Sequence, residues 1–202
     1  PPGIRPERVD LTTLVGDVAR EFGSICEGFE IRLDVELPEG DAAAWIDRTM
    51  MLEAIRALVR NSVEAIGCGG AIVIAIEPAD SRPDSRPNLL QASEVSLGEH
   101  GVEGPRRQRE SVKEGDSGKG WLLRVSDSGP GLDRIQSEHA FDPFFSEKPA
   151  GRQPGLGLAR ARRNVEAHGG QITLVNNPSS GAAATIWLNH WRAERVDQRD
   201  AA

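Results

Sequence analysis

Trp121-Leu122-Leu123-Arg124-Val125-Ser126-Asp127-Ser128-Gly129-Pro130-Gly131 decides how the rest of this 202-residue chain is read. An apolar run of strand length delivers a carboxylate, and two glycines one residue apart follow it. Asp127, at a strand end, can accept a hydrogen bond from the exocyclic amine of a flat polar ring. Gly129 and Gly131 lack a Cβ, so the backbone can turn tightly and pass close to a ligand. Asp-Ser-Gly-Pro-Gly is also ordinary turn chemistry, a surface turn leaving a strand. The neighbouring segments separate the two readings.

Upstream, the residues from about Arg48 to Ile66 form the clearest helix of the sequence. Met51, Leu52, Ile55, Leu58, Val59, Ser62, Val63 and Ile66 fall on one stripe at 100° per residue. Asn61 lies just outside that stripe, beside Ala54, Ala57 and Ala65, where small side chains leave room for a bound group. A boundary amide that only bonds backbone is the alternative. Glu53, Arg60 and Glu64 lie further round, on an expected solvated face. Gly67-Cys68-Gly69-Gly70 ends the helix, and Ala71 to Ile76 is apolar enough for a central strand.

Before this helix, Asp10 is placed to cap a helix carrying Leu11, Leu14, Val15, Val18 and Phe22 at helical spacing, with Gly23 at its end. Ile31 to Leu37 alternates as a half-buried strand does, and Trp45-Ile46 reads as a short edge strand. Residues 1–8 read as linker. Residues 78–119 turn to Arg, Glu, Ser and Gly, with Ser-Arg-Pro repeated at 81–83 and 85–87. They read as a long disordered loop joining two adjacent strands.

After Gly131 come a short helical stretch near 132–137 and then Phe141-Asp142-Pro143-Phe144-Phe145-Ser146-Glu147-Lys148. The phenylalanines read as a local anchor, and Lys148 as a mobile point charge suited to phosphate. Gly155-Leu156-Gly157-Leu158 opens a second helix through His168. A Gly-x-Gly at a helix N-terminus presents free N–H groups and the positive dipole end to an anion. Gln171 to Val175 and Ala182 to Leu188 read as a terminal hairpin, followed by a polar tail over 191–202.

Composition bounds the rest. The length suits one α/β domain and is short for two. A formal net charge of −7 argues against nucleic acid as the main partner. Cys26 and Cys68 have no Cys-x-x-Cys or Cys/His spacing, so the expectation is a reducing compartment and no structural zinc. No apolar run approaches the roughly 18 residues of a membrane span. The expected location is cytoplasmic, without membrane contact from this piece, and the start on Pro1-Pro2-Gly3 suggests a domain of a longer protein.

Taken in order, these segments resemble the ATP-binding catalytic domain of bacterial sensor histidine kinases, within the gyrase-like GHKL superfamily. Asn61 in Leu58-Val59-Arg60-Asn61-Ser62-Val63-Glu64-Ala65 matches the N box. Asp127 to Gly131 matches the G1 box, Phe141 to Lys148 the F box, and Gly155 to Leu158 the G2 box. The resemblance implies an α+β fold, the two-layer sandwich called the Bergerat fold. A mixed sheet would carry helices on one face, and ATP would lie between helices and a lid of residues 132–154. The domain would span 9–190.

By the same resemblance, Asn61 would give an oxygen to Mg²⁺ and Asp127 would read the adenine amine, with Gly129 and Gly131 beside the base. Phe144 and Phe145 would pin the lid. Lys148, Gly155, Leu156, Gly157 and Leu158 would hold the phosphates. The implied activity is transfer of the γ-phosphoryl of ATP to a histidine on a dimerisation domain of the same protein, for relay to a response-regulator receiver domain. The intact protein would be a homodimer. A nucleotide-binding module that regulates a partner without transfer is the alternative. Relatives that use water as acceptor carry a glutamate where this chain has Ala57, which cannot take a proton, so transfer is favoured over hydrolysis. Glu64 replaces a phosphate-binding lysine of some relatives, and Pro154 stands where Thr or Ser is usual. None of His100, His139, His168 and His190 has the context of a phosphoacceptor, which is expected on a hairpin before Pro1.

Overall fold

The computed structural model describes residues 3–82, 119–145, 155–178 and 180–190. Its elements follow from two periodicities. Strand β1 (Glu7–Asp10) leads into helix α1 (Leu11–Gly28), and strands β2 (Ile31–Glu36) and β3 (Ala43–Ile46) precede helix α2 (Arg48–Ile66). Strands β4 (Gly70–Ala79) and β5 (Gly120–Asp127), short helix α3 (Arg134–His139), helix α4 (Gly157–Ala167) and strands β6 (Gln171–Asn176) and β7 (Ala182–Asn189) complete the chain. The main sheet has the order β2-β4-β5-β7-β6, parallel at β2–β4 and antiparallel at the other pairings. It is the mixed sheet of the expected α+β sandwich.

Register makes the core. Ile76, Leu123, Ile186 and Ile172 pair successively across four strands, and the next row on that face is Ile74, Val125, Ala184 and Leu174. Side chains alternate along a strand, so these rows share one face. All but the partly buried Leu174 are buried, in one cluster with Leu14, Val15 and Val18 of α1, Leu58 and Val59 of α2, and Val165 of α4. Cys26 belongs to the same cluster, and burial pushes its thiol pKa up. Helices α2 and α4 run antiparallel, tied where the Asn164 amide donates to the Met50 carbonyl at 2.9 Å. One turn on, His168 Nδ1 bonds the Asn164 carbonyl and its Nε2 accepts the Asp47 backbone N–H at 2.9 Å.

Three boundaries differ from expectation. Residues 1–8 were expected as linker, but Glu7–Asp10 pairs antiparallel with β3. Only Val9 and half-buried Asp10 are sheltered on that strand, so no alternation marks it. Helix α1 passes through Gly23 to Gly28, because Phe22 and Cys26 continue its buried stripe. The expected loop at 78–119 starts later, since Pro78 and Ala79 still pair with Trp121 and Gly120. Residues 83–118 and 191–202 lie outside the described residues.

Two substitutions test this construction. A Cβ at Gly23 would meet nothing within 4 Å, so Gly23→Ala is expected to stabilise the fold by about 0.5–1 kcal/mol, seen as a higher Tm. Asp47 caps α2 by accepting the Met50 N–H at 3.1 Å. That bond, then the one from the Arg5 N–H, holds its carboxyl below the usual range, against a smaller effect of burial. The stabilisation is therefore complete above the unfolded pKa and lost as pH falls through the folded one. Asp47→Ala should cost about 1 kcal/mol at neutral pH in urea unfolding, and the gap should close below about pH 4.

Candidate functional site

The alternation that buries Val125 and Leu123 also carries Asp127 to the helix-facing side of the sheet, opposite Ile72. There Asp127 is 7 % exposed. A carboxylate withdrawn from water must be hydrogen-bonded to be tolerated, and three protein donors meet it. Its Oδ1 accepts the backbone N–H of Gly129 at 3.0 Å and that of Ala182 at 3.1 Å. Its Oδ2 accepts the Ser62 hydroxyl of α2 at 3.1 Å. Helix, turn and last strand thus converge on one side chain. An ionised carboxylate has about four lone-pair positions, so one on Oδ2 stays open to a further donor.

The turn beyond Asp127 is fixed from both flanks. Ser128 continues the β4–β5 pairing, its N–H donating to the Ala71 carbonyl at 3.1 Å and its Oγ accepting the Ala71 N–H at 2.9 Å. The Asn176 amide then imitates a strand partner for Leu132, accepting its N–H at 2.6 Å and donating to its carbonyl at 2.9 Å. Gly131 has φ +82, and a Cβ there would stand 2.8 Å from Asn176 Oδ1. Its glycine is required by the packing of the turn itself. Gly181 is tighter: φ is +79, and a Cβ would fall 1.9 Å from the Asp127 carbonyl oxygen.

A cavity of about 350 Å³ opens beside this turn. One wall is α2, with Ala57, Arg60, Asn61, Glu64 and Ala65. Opposite stand Gln136 and Ala140 of the α3 segment with Phe145, and Leu132 and Leu174 make the apolar side. Gly155, Gly157 and Leu158 close the end at the head of α4. That helix has Leu156 as its N-cap and no side chain hydrogen-bonded there, so its first N–H groups lack the usual capping oxygen. Asn61 lines the cavity and, among the described residues, its amide makes no hydrogen bond.

The sequence-derived residues are distributed unevenly about this space. Asn61, Gly131, Phe145, Gly155, Gly157 and Leu158 line it, whereas Asp127, Gly129 and Leu156 are not among its lining residues. Phe144 does not line it: it has φ 68, is 75 % exposed, and its N–H is tied to the Gly155 carbonyl at 3.0 Å. Phe141 is the phenylalanine packed against the core. Gly155 fits against the F-box backbone, where a Cβ would lie 2.4 Å from the Phe145 carbonyl oxygen. Lys148 lies outside the described residues.

Arg60 and Glu64, expected on a solvated face, belong to the α2 wall. They flank Asn61 at one residue before and three after, and α4 begins at Gly157 beside Ala57, so this turn of α2 lies beyond the start of α4. Ser62, Asn176 and Gly181 were not anticipated. Ser62 was visible as the polar member of an apolar stripe; Asn176 and Gly181 read only as turn residues.

The sequence pattern of the family described as histidine kinase-, DNA gyrase B-, and HSP90-like ATPase matches residues 46–192. The chain is 25% identical over 194 residues to the adaptive-response sensory kinase SasA of Parasynechococcus marenigrum (strain WH8102), covering 94% of this chain and 40% of SasA. It is 39% identical over 101 residues to the sensor histidine kinase ZraS of Escherichia coli O157:H7, covering 50% of this chain and 20% of ZraS. It therefore spans well under half the length of these curated relatives. In fold it is similar to the catalytic domain of histidine kinase ThkA, with TM-score 0.65 and 22% identity over 92% of this chain and 95% of that one. A structure of ThkA in complex with response regulator protein TrrA gives TM-score 0.64 at 21% identity, over 95% of this chain and 44% of that one.

The close approach at Gly181 is directly testable. Gly181→Ala is expected to lower stability by more than about 1 kcal/mol, from backbone strain and the clash with Asp127 together. Gly169 has φ +69 but open space around it, so Gly169→Ala should cost less. Urea unfolding of the two variants checks the order.

Proposed function

This chain belongs to the family of histidine kinase-, DNA gyrase B- and HSP90-like ATPases, and we propose that it is the nucleotide-binding catalytic part of a sensor protein-histidine kinase. The observation that carries this reading is the shared cavity of about 350 Å³. It gathers the Asn61 segment, the turn after Asp127, the F-box end at Phe145 and the Gly-x-Gly head of α4. These segments are far apart in sequence and carry little meaning singly.

ATP is the substrate. The open lone pair of the Asp127 carboxylate takes the exocyclic amine of adenine, the Leu132 and Leu174 side of the cavity shelters the ring, and the head of α4 receives phosphate oxygens. Lys148 is assigned to the phosphates as well. Magnesium, a hard cation that takes oxygen ligands, would accompany the phosphates. Asn61, whose amide makes no hydrogen bond among the described residues, would offer such an ion one protein oxygen. When bound, magnesium neutralises charge on the phosphates.

The step itself is displacement at the γ-phosphorus. A neutral imidazole nitrogen of the acceptor histidine forms the N–P bond as the bond to the bridging oxygen breaks and ADP leaves. The chain's contribution is to hold the nucleotide in line and exclude competing water, because Ala57 offers no base to activate one. The acceptor histidine sits on a dimerisation domain of the same protein, and a response-regulator receiver domain takes the phosphoryl next. The intact kinase would act as a homodimer. No described helix is long and apolar enough to cross a membrane; a cytoplasmic location is part of the proposal.

The test is incubation with γ-labelled ATP, magnesium and a cognate acceptor hairpin. Acid-labile, alkali-stable label on the hairpin is the expected result; tight ATP binding without transfer would favour a regulatory module instead. Asn61→Ala is expected to slow transfer by more than the roughly tenfold that losing an outer-shell metal partner costs. Adenosine affinity should remain unchanged.

A further inference from the structure

Helix α2 carries three arginines toward its solvent side, and they fare differently. Arg48 is paired with Asp17 and Arg56 with Glu21, both acids lying on α1. Arg60 is one turn beyond Arg56, exposed, and makes no ion pair among the described residues. It lines the cavity directly before Asn61. Of the residues lining that cavity, only Arg60 and Glu64 carry a charge, so Arg60 is the one described cation in the wall.

Position adds to charge. Gly157 meets α2 at Ala57, with 4.0 Å between the Ala57 Cβ and a Cβ built at Gly157. Arg60 therefore stands about one helical turn past the start of α4, and both it and the head of that helix line the cavity. A polyphosphate entering here brings several negative charges into this wall. A guanidinium presents five donors in a planar fork that matches two phosphate oxygens, and its long stem lets it reach inward from the rim.

We infer that Arg60 is a substrate-binding residue that grips the phosphates of the nucleotide, setting preference for the phosphorylated ligand over the nucleoside. This rests on the nucleotide reading of the cavity and adds to it a residue and a role. Arg60 acts on affinity for the charged tail of the ligand and not on the base.

Affinities for Mg-ATP and adenosine, measured by calorimetry and competition on the whole chain, test it. For Arg60→Ala, Mg-ATP should bind about tenfold more weakly, as expected for one lost charge-assisted contact, with adenosine unchanged. Arg60→Lys should recover part of the loss, and Arg56→Ala should bind both ligands normally. The Mg-ATP affinity of Arg60→Ala should also depend less steeply on salt. Unchanged Mg-ATP affinity in Arg60→Ala would overturn the assignment, as would equal loss of Mg-ATP and adenosine, which marks a packing role. Failure of the unaltered chain to bind either ligand would instead overturn the nucleotide reading, and this assignment with it.

Discussion

Burying a carboxylate is unfavourable unless its oxygens find donors, and the Asp127 side chain meets that condition with groups from three separate places. Ser62 comes from α2, Gly129 from the turn, and Ala182 from the start of β7. Removing a donor from a buried acceptor costs roughly 1–3 kcal/mol, so the three contacts hold helix, turn and sheet in one arrangement. Two glycines about this junction follow from its packing. Gly181 passes against the Asp127 carbonyl and Gly131 against Asn176, each where no side chain fits. A rigid turn is what a binding wall needs, because a ligand then meets preformed contacts and orders little on arrival.

Much of this was legible in the chain because it rests on local periodicity. The α2 stripe from Met51 to Ile66 and the run from Trp121 to Val125 each repeat with the period of their element, and the structure keeps both. Helix starts were legible for the same reason, since Asp10 and Asp47 cap the helices that follow them. What escaped was settled by partners distant in sequence. Strand β1 exists because β3 lies more than thirty residues away to pair with it, and Glu7-Arg8-Val9 alone shows no alternation. Gly23 looked like a helix end until the core received Cys26 one turn later. The roles of Asn176 and Gly181 depend on Leu132 and Asp127, about fifty residues away, and no pattern within their own loop announces that.

The cavity also shows how neighbours on one helix divide their tasks. Ala57 lies against the start of α4 at Gly157, Asn61 carries an amide without a hydrogen bond among the described residues, and Arg60 and Glu64 place opposite charges in the same wall. A base at position 57 would turn the same space toward hydrolysis. Alanine offers no such base, which is consistent with the proposed transfer to a histidine rather than to water. The F-box phenylalanines divide in the same way: Phe141 anchors to the core, Phe145 lines the cavity and Phe144 faces out.

The central claim is that the open lone pair of Asp127 reads a donor on the base. The sharpest measurement compares affinity for ATP with affinity for inosine triphosphate, which carries a carbonyl where adenine has its amine, in the unaltered chain and in Asp127→Asn. The account predicts strong preference for ATP in the unaltered chain and loss of that preference in the variant. An equal preference for ATP in both proteins would contradict it.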